Sequence, residues 1–430
     1  MDREPKNKKE KRSASLFGKL SDKCRESYAK YEEKRARRDI IFTETITPVP
    51  PEKPPLLVRG GIDVQLLLTV VALLFFGAIM CFSASNVYAS EEYNDSMYFF
   101  KRYILYATLS IAVTALIVAF AKPSHLRLAA VFLYGITVLL LLIVLVAGDT
   151  GGGAQRWIAI GPITIQPSEI AKLSVVLMLS FYMSHYEKEI KSVHVRGGSF
   201  RKGVLAPCII IGIIICLVML EKHISGVIII GLIGLSVMYM GGTHTKWMFL
   251  ILGLLGLAAG FLILVSGYAQ ERVHTWLNIY EVDPTGSAWQ TLQGMYAIGS
   301  GGFFGRGLGN STQKYGYVSQ PQNDFIFTIV CEELGFIGAL IVVGLFALLV
   351  YRGFKIAKGC PDKYMRLVAY GLSFKVALQA LLNIAVVTNS MPNTGISLPF
   401  FSSGGTALLV QILEVGILLI ISRYSAEKKN

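Results

Sequence analysis

The sequence predicts an all-α polytopic membrane protein with about ten transmembrane helices, and three observations carry that reading. The 430 residues are 53% hydrophobic and only 16% charged, with a mean hydropathy of +0.54, whereas soluble domains sit near a quarter charged. The apolar residues gather into runs near the ~20 residues that a helix needs to cross a bilayer. Lysine and arginine then fall unequally on the two sides that those runs define. An ordinary soluble globule is excluded, and so is disorder over most of the length. Of the 41 Lys and Arg residues, 16 precede Gly61, so the net charge of +13 describes a basic tail on an apolar body. That distribution is not a nucleic-acid-binding face, and no nucleic-acid partner is expected.

Residues 1–60 read as a basic, Pro-rich, largely disordered cytoplasmic tail. Leu16, Leu20, Cys24, Tyr28 and Tyr31 could share one face of a basic helix over 15–38. Attraction to anionic lipid and a partner-binding helix both remain open for it. The prolines of 47–55 form a stiff spacer. The body, 61–424, holds ten apolar runs at 64–85, 103–121, 126–147, 169–185, 204–220, 223–241, 247–267, 325–350, 367–388 and 405–422, and 425–430 is a short tail. With the N-terminus inside, the inner loops and C-terminal end carry 16 Lys and Arg and the outer loops seven. Both termini are therefore expected in the cytoplasm, with a large extracellular loop between helices 7 and 8. The six cysteines include no CxxC pair, which argues against a disulfide framework or a zinc site.

Three outer loops, 148–168, 268–324 and 389–404, are longer than connectors need to be and rich in Gly, Pro, Ser, Gln and aromatics. Loops beyond about 15 residues are usually functional or disordered, and the aromatic content disfavours disorder. The chemistry is expected to face outward. Within the runs, ionisable residues are costly and point to function or pairing. Glu169 and Lys172 are three apart and share a helix face, as an ion pair or as a substrate contact. Glu332 and Glu333 are adjacent, so at most one is expected to line a cavity, and Lys375 and Glu414 could pair across helices.

The second outer loop, Gly151-Gly-Gly-Ala-Gln-Arg156-Trp157 through Gln166-Pro167-Ser168-Glu169, offers an Arg suited to phosphate and a Trp suited to a sugar or to the membrane interface. The long loop carries Arg272, Trp276, Asp283-Pro284, Lys314 and Gln322-Asn323-Asp324. Asp283 before a proline is biased to extended backbone; it could act as a general base or cap a short helix beginning near Pro284. The glycine-rich stretch 299–309 matches neither GxGxxG nor GxxxxGK[ST]; tight turns with close backbone approach are its reading. The six histidines show no paired-ligand spacing, so no protein-built metal cage is expected.

Taken in order, Phe82-Ser83-Ala84-Ser85 ending the first helix, Gly153-Ala-Gln-Arg-Trp157-Ile, Gln166-Pro-Ser-Glu169-Ile-Ala-Lys172, Asp283-Pro284 with Gly299-Ser-Gly-Gly302, Gln322-Asn-Asp324-Phe-Ile-Phe327 with Glu332-Glu-Leu-Gly335, and Pro392-Asn-Thr-Gly…Leu398-Pro399-Phe…Ser402-Ser-Gly-Gly405 form a recognisable set. The chain resembles the SEDS family (shape, elongation, division, sporulation), whose members include FtsW, RodA and SpoVE, over roughly 61–424. The Gln-Asn-Asp-Phe-Ile-Phe wording looks closer to the FtsW/SpoVE branch. The resemblance implies a peptidoglycan glycosyltransferase that polymerises lipid II at the outer leaflet of the bacterial cell membrane. Asp283 would be general base and undecaprenyl pyrophosphate the leaving group.

The substrate contacts implied or expected are Arg156, Trp157, Gln166, Ser168, Glu169, Lys172, Arg272, Lys314, Asp324, Glu332, Pro399 and Ser402. The partners implied are lipid II, a class B penicillin-binding protein and other division or sporulation membrane proteins. A divalent cation, Mg or Mn, would be held mainly by the substrate pyrophosphate. A lipid II transporter or flippase, or a non-catalytic scaffold of a cell-wall synthase, is the alternative. The chain departs from the pattern at Glu221-Lys222-His223-Ile224-Ser225-Gly226, where many members carry a Pro-Asp-Leu-Gly-type sequence.

Overall fold

Every one of the ten apolar runs lies on a helix. The computed structural model describes residues 60–151, 154–160, 163–191, 200–281, 288–403 and 405–424; the tail 1–59 and Asp283 lie outside the described residues. In chain order the helices are α1 (Val64–Tyr93), α2 (Tyr98–Phe120), α3 (Pro123–Ala147), α4 (Pro167–His185), α5 (Glu187–Lys191), α6 (Ala206–Leu220, entered through a π-turn at Arg201–Leu205) and α7 (Ile224–Gly241). They continue as α8 (Thr245–Val265), α9 (Gly267–Leu277), α10 (Trp289–Gly301), α11 (Ile326–Gly359), α12 (Lys363–Val387) and α13 (Gly405–Ser422). Eight of these, α6 with its π-turn among them, are long and apolar enough to cross a membrane, among the described residues. The other two helices on predicted runs are α4, which carries Glu169 and Lys172 at its start, and α8.

The first helix runs past the expected boundary near Ser85. It continues to Tyr93 and stops at Asn94 in a left-handed conformation (φ 52°), so Phe82–Ser85 lies in mid-helix. No residue between Ser85 and Asn94 breaks a helix, and the polar Ser83 is satisfied by donating to both oxygens of Glu333 at 2.8 and 2.6 Å. The bundle is also not purely helical. Between α3 and α4, strands β1 (Asp149–Gly151), β2 (Ala154–Ile160) and β3 (Ile163–Ile165) form an antiparallel sheet in the order β1-β2-β3, with Ile158 opposite Ile165 and Ile160 opposite Ile163.

In α13, 83% of the apolar window is buried, against 22% in α3, which sets the last helix at the centre of the bundle and α3 at its rim. Lipid tails are as apolar as leucine, so helix association rests on close packing over small residues. A Cβ at Gly416 of α13 would lie 2.2 Å from Thr114 of α2, and one at Gly353 of α11 would lie 2.0 Å from Ser373 of α12. The charged pair at the centre is matched: Lys375 donates to both oxygens of Glu414 at 2.8 Å, each residue about 1% exposed.

The glycine-rich stretch is a backbone insert into a broken helix. Gly335 interrupts α11 with φ 67° and ψ −165°. The carbonyls of Glu332 and Glu333 accept from the N–H groups of Arg306 and Gly307 at 3.0 Å, while Phe336 and Ile337 donate to Gly302 and Phe303. A Cβ at Gly301 would sit 2.0 Å from the Cys331 carbonyl, and one at Gly305 2.2 Å from that of Glu333. The freed helix groups are therefore paired by protein rather than exposed to hydrocarbon, which is the condition for irregular backbone at membrane depth.

The loops assigned to one side by charge meet one another. Arg127 pairs with Asp362, Lys363 with Glu187 (3.3 Å), and Tyr364 donates to the Leu126 carbonyl (2.8 Å). The loops assigned to the other side converge at the opposite ends of these helices, and that convergence builds the site.

Candidate active site

Three outer loops and the starts of α4 and α7 enclose a cavity of about 570 Å³. The β2 strand brings Arg156 and Trp157; Gln166 precedes α4, which contributes Glu169 and Lys172 from its first two turns; the α6–α7 turn brings His223 and the start of α7 brings Ser225. Asn323 and Asp324 come from the end of the long loop, Gln290 from α10, Gln379 from α12, and Gly395–Ser397 and Ser402 from the last outer loop.

These loops are fixed to each other by hydrogen bonds. Asn383 donates to the carbonyls of Asp324 (2.7 Å) and Ile396 (2.6 Å), Ser402 to that of Asn323 (2.8 Å), and Ser403 to the Asn323 side chain (2.7 Å). Ser225 donates to the Thr394 carbonyl, and Thr406 to that of Thr164. From α9, Trp276 donates to the Asn389 carbonyl at 2.9 Å and Arg272 to that of Asn393.

The cavity is polar and electrostatically divided. Lys172 donates to Glu169 Oε1 at 2.6 Å, with Gln379 Oε1 at 3.5 Å. Arg156 donates to the Lys222 carbonyl at 2.8 Å. Asp324 is half-buried, and its carboxylate makes no hydrogen bond among the described residues. Burial and the nearby Glu169 push the Asp324 carboxyl up to about 6, against the pull of Arg156. Around the cavity, Arg156 Nε, Glu169 Oε2 and both Glu221 oxygens are buried without a hydrogen-bond partner among the described residues. Buried polar groups are normally satisfied, so this concentration marks a place built for a polar ligand or ordered water. Two cations beside open acceptors and amides suit an anionic, hydroxyl-rich ligand.

Glu221, 1% exposed, has burial lifting its carboxyl to about 8, opposed by Arg156. It is protonated in the folded protein at neutral pH and ionised when unfolded. Its folded value is raised, so the stability it confers is complete below the unfolded carboxylate range and is lost as pH rises through about 8. Glu221→Gln should flatten the fall in thermal stability between pH 5 and about 8, read as melting temperature in detergent. An unchanged slope contradicts this assignment.

Of the residues singled out in the sequence, Arg156, Trp157, Gln166, Glu169, Lys172, Asp324 and Ser402 line this cavity together. Five others lie elsewhere. Ser168 is fully buried beside Glu169, and Pro399 is buried in the turn before Ser402. Arg272 holds the 389–404 loop from α9. Lys314 is buried, donating to Glu333 (3.2 Å) and to the Gly309 carbonyl (2.7 Å). Glu332 accepts from Ser311 and from the Thr312 N–H and hydroxyl, with Arg306 at 3.5 Å. Neither Glu332 nor Glu333 lines the cavity, because both serve to lock the 306–314 loop onto α11.

His223, Ser225, Gln290, Gln320 and Gln379 line the cavity and were not singled out by sequence. The signal for His223 was present in the departure at 221–226. No group of three or more His, Cys, Asp or Glu side chains able to hold a metal occurs among the described residues. The open carboxylate of Asp324 fits a single ligand to a cation that arrives with its own oxygen donors.

Residues 64–427 match the FtsW/RodA/SpoVE family model, described as a cell cycle protein. The stage V sporulation protein E of Bacillus subtilis is 38% identical over 368 residues, covering 84% of this chain and 97% of that protein. A probable peptidoglycan glycosyltransferase FtsW of Trichlorobacter lovleyi is 36% identical, covering 84% and 93%. Among solved structures, a chain of a peptidoglycan synthase complex that coordinates polymerization and crosslinking superposes with a TM-score of 0.69 at 26% identity, covering 84% of this chain and 98% of that one. The rod shape determining protein RodA of Thermus thermophilus superposes with a TM-score of 0.62 at 25% identity, covering 85% and 98%.

Proposed function

The chain belongs to the FtsW/RodA/SpoVE family, and from that premise we propose that it is a peptidoglycan glycosyltransferase joining lipid II units into glycan strands at the outer face of the bacterial cell membrane. The observation that carries this reading is the cavity where Arg156, Trp157, Lys172 and Asp324 converge. It sits where the loops placed outside by charge come together, and its lining suits a sugar linked to a pyrophosphate. Ten spans, cytoplasmic termini, a tail over 1–60 and an outer loop between the seventh and eighth spans complete the topology we infer.

In the reaction, an acceptor sugar hydroxyl attacks the anomeric carbon of a donor, and the bond to undecaprenyl pyrophosphate breaks. The hydroxyl proton passes to a base, which we assign to Asp283. This residue lies outside the described residues; its support is the family resemblance and its position in chain order seven residues before Gln290, which lines the cavity. Arg156 and Lys172 are placed to stabilise the negative charge that develops on the leaving group. A divalent cation, Mg or Mn, held mainly by the pyrophosphate would find its protein ligand in Asp324 and would supply further charge neutralisation there. Cross-linking needs a second activity, and a class B penicillin-binding protein is the partner we infer, supported by the solved synthase complex. Other division or sporulation membrane proteins are further partners of the same assembly.

Substituting Arg156 tests the cavity assignment. Arg156→Met should lower kcat/KM for lipid II polymerisation about tenfold, the scale of one lost charge-assisted hydrogen bond, while the melting temperature stays within a few degrees. An unchanged rate removes the cavity from the reaction.

A further inference from the structure

Resting on the reading that this cavity takes a polyprenyl-linked sugar, we propose that His223 is a specificity-determining residue that donates from its Nε2–H to an uncharged oxygen on the carbohydrate, a hydroxyl or an amide carbonyl. The residue precedes the first residue of α7, makes no side-chain capping bond and is 7% exposed. Its ring packs against Gly226, where a Cβ would meet Nδ1 at 2.8 Å and Cε1 at 3.0 Å, so this orientation depends on the absence of a side chain there. Nδ1 is buried and has no hydrogen-bond partner among the described residues. The side chain makes no hydrogen bond among the described residues, so Nε2 is the ring nitrogen left to face the cavity that His223 lines.

Those facts assign the tautomer. A proton on Nδ1 would be a buried donor without an acceptor, which costs the desolvation of that group. A proton on Nε2 leaves Nδ1 as an unused lone pair against Gly226 and turns the N–H toward the ligand. The charged groups acting on the ring are Arg156, Lys172 and Glu169. Burial, Arg156 and Lys172 hold the imidazole down to about 4, with Glu169 opposing, so it is neutral at physiological pH.

The consequence is a division of labour. Arg156 and Lys172 are the cations available for the pyrophosphate, and the imidazole beside them is a neutral donor. A neutral N–H loses little by meeting a neutral oxygen, and it discriminates against a ligand lacking that oxygen because the donor is then left unpaired. The Pro-Asp-Leu-Gly-type sequence seen in many members would place a carboxylate in this turn, which only accepts hydrogen bonds. The imidazole of this chain donates instead.

The test measures binding of two ligands to the full chain purified in detergent: lipid II, and undecaprenyl pyrophosphate, which has the lipid and both phosphates but no sugar. His223→Leu should weaken lipid II binding about tenfold and leave undecaprenyl pyrophosphate unchanged. His223→Gln, which restores an N–H donor at comparable reach, should recover lipid II affinity to within about threefold. Equal weakening for both ligands would place the ring on the phosphates and overturn the proposal. So would a Leu variant that binds lipid II normally, or a Gln variant as weak as Leu. A native protein that polymerises lipid II while these variants bind normally defeats only the assignment of His223. A native protein that binds neither ligand defeats the functional reading, and the assignment with it.

Discussion

Asp283→Asn should abolish glycan polymerisation while the protein still folds and still binds lipid II. A sugar hydroxyl is a weak nucleophile until its proton is taken, and a positioned base contributes about 10²–10⁴-fold. The amide matches the carboxylate in size but cannot accept that proton, so the loss should appear in kcat with little change in KM. Single-turnover polymerisation by purified protein, beside lipid II binding by the same sample, reads both quantities. Full activity in the Asn variant would require another base, and Asp324 is the group to test next. Its carboxyl is open to the cavity and raised to about 6, so a rate limited by its ionised form would climb as pH rises through 6.

Lys172→Met should be nearly as damaging, by a different route. Lys172 and Glu169 are 2% and 5% exposed and lie 2.6 Å apart, at the floor of the cavity. Removing one partner leaves the other charge buried and uncompensated, which costs about 3–5 kcal/mol. The variant should therefore lose stability and activity together. The double variant Lys172→Met/Glu169→Gln removes both charges and should regain most of the melting temperature. It should stay inactive, because the cation beside the leaving group is still missing. Recovery of activity along with stability would show the pair to be structural only. Lys375 acts on both residues and Glu414 on Lys172, so the same comparison at 375 and 414 shows how far the two pairs depend on each other.

The sequence alone specifies some of these elements and not others. The ten runs fell on helices because a bilayer demands long apolar segments, and that demand is written in composition. The three-stranded sheet over 149–165 is not among the expected elements, although Ile158, Ile160, Ile163, Thr164 and Ile165 flank Gly161-Pro162 in a pattern suited to strands. An all-helical reading of a membrane chain left no place for it. Arg156, Trp157 and Asp324 stand out because charge and aromatic content on outward loops have few structural uses, and Glu169 and Lys172 because ionisable residues at membrane depth are costly. Lys314 and Glu332 are assigned to the substrate on the same two grounds, yet their partners are Glu333 and residues 311–313. Sequence spacing cannot show that a loop some 20 residues upstream folds back onto a helix broken at Gly335. His223 is marked in the sequence only by the departure at 221–226, and its role emerges from the packing at Gly226.

The most direct test of the central claim is polymer formation from lipid II by the purified chain in detergent, where no membrane remains to be crossed, with and without its cognate penicillin-binding protein. Glycan strands longer than the disaccharide, made by the native chain and absent with Asp283→Asn, are the predicted result. Lipid II left unpolymerised in detergent by a folded native complex that nonetheless moves lipid II across vesicle membranes would contradict it.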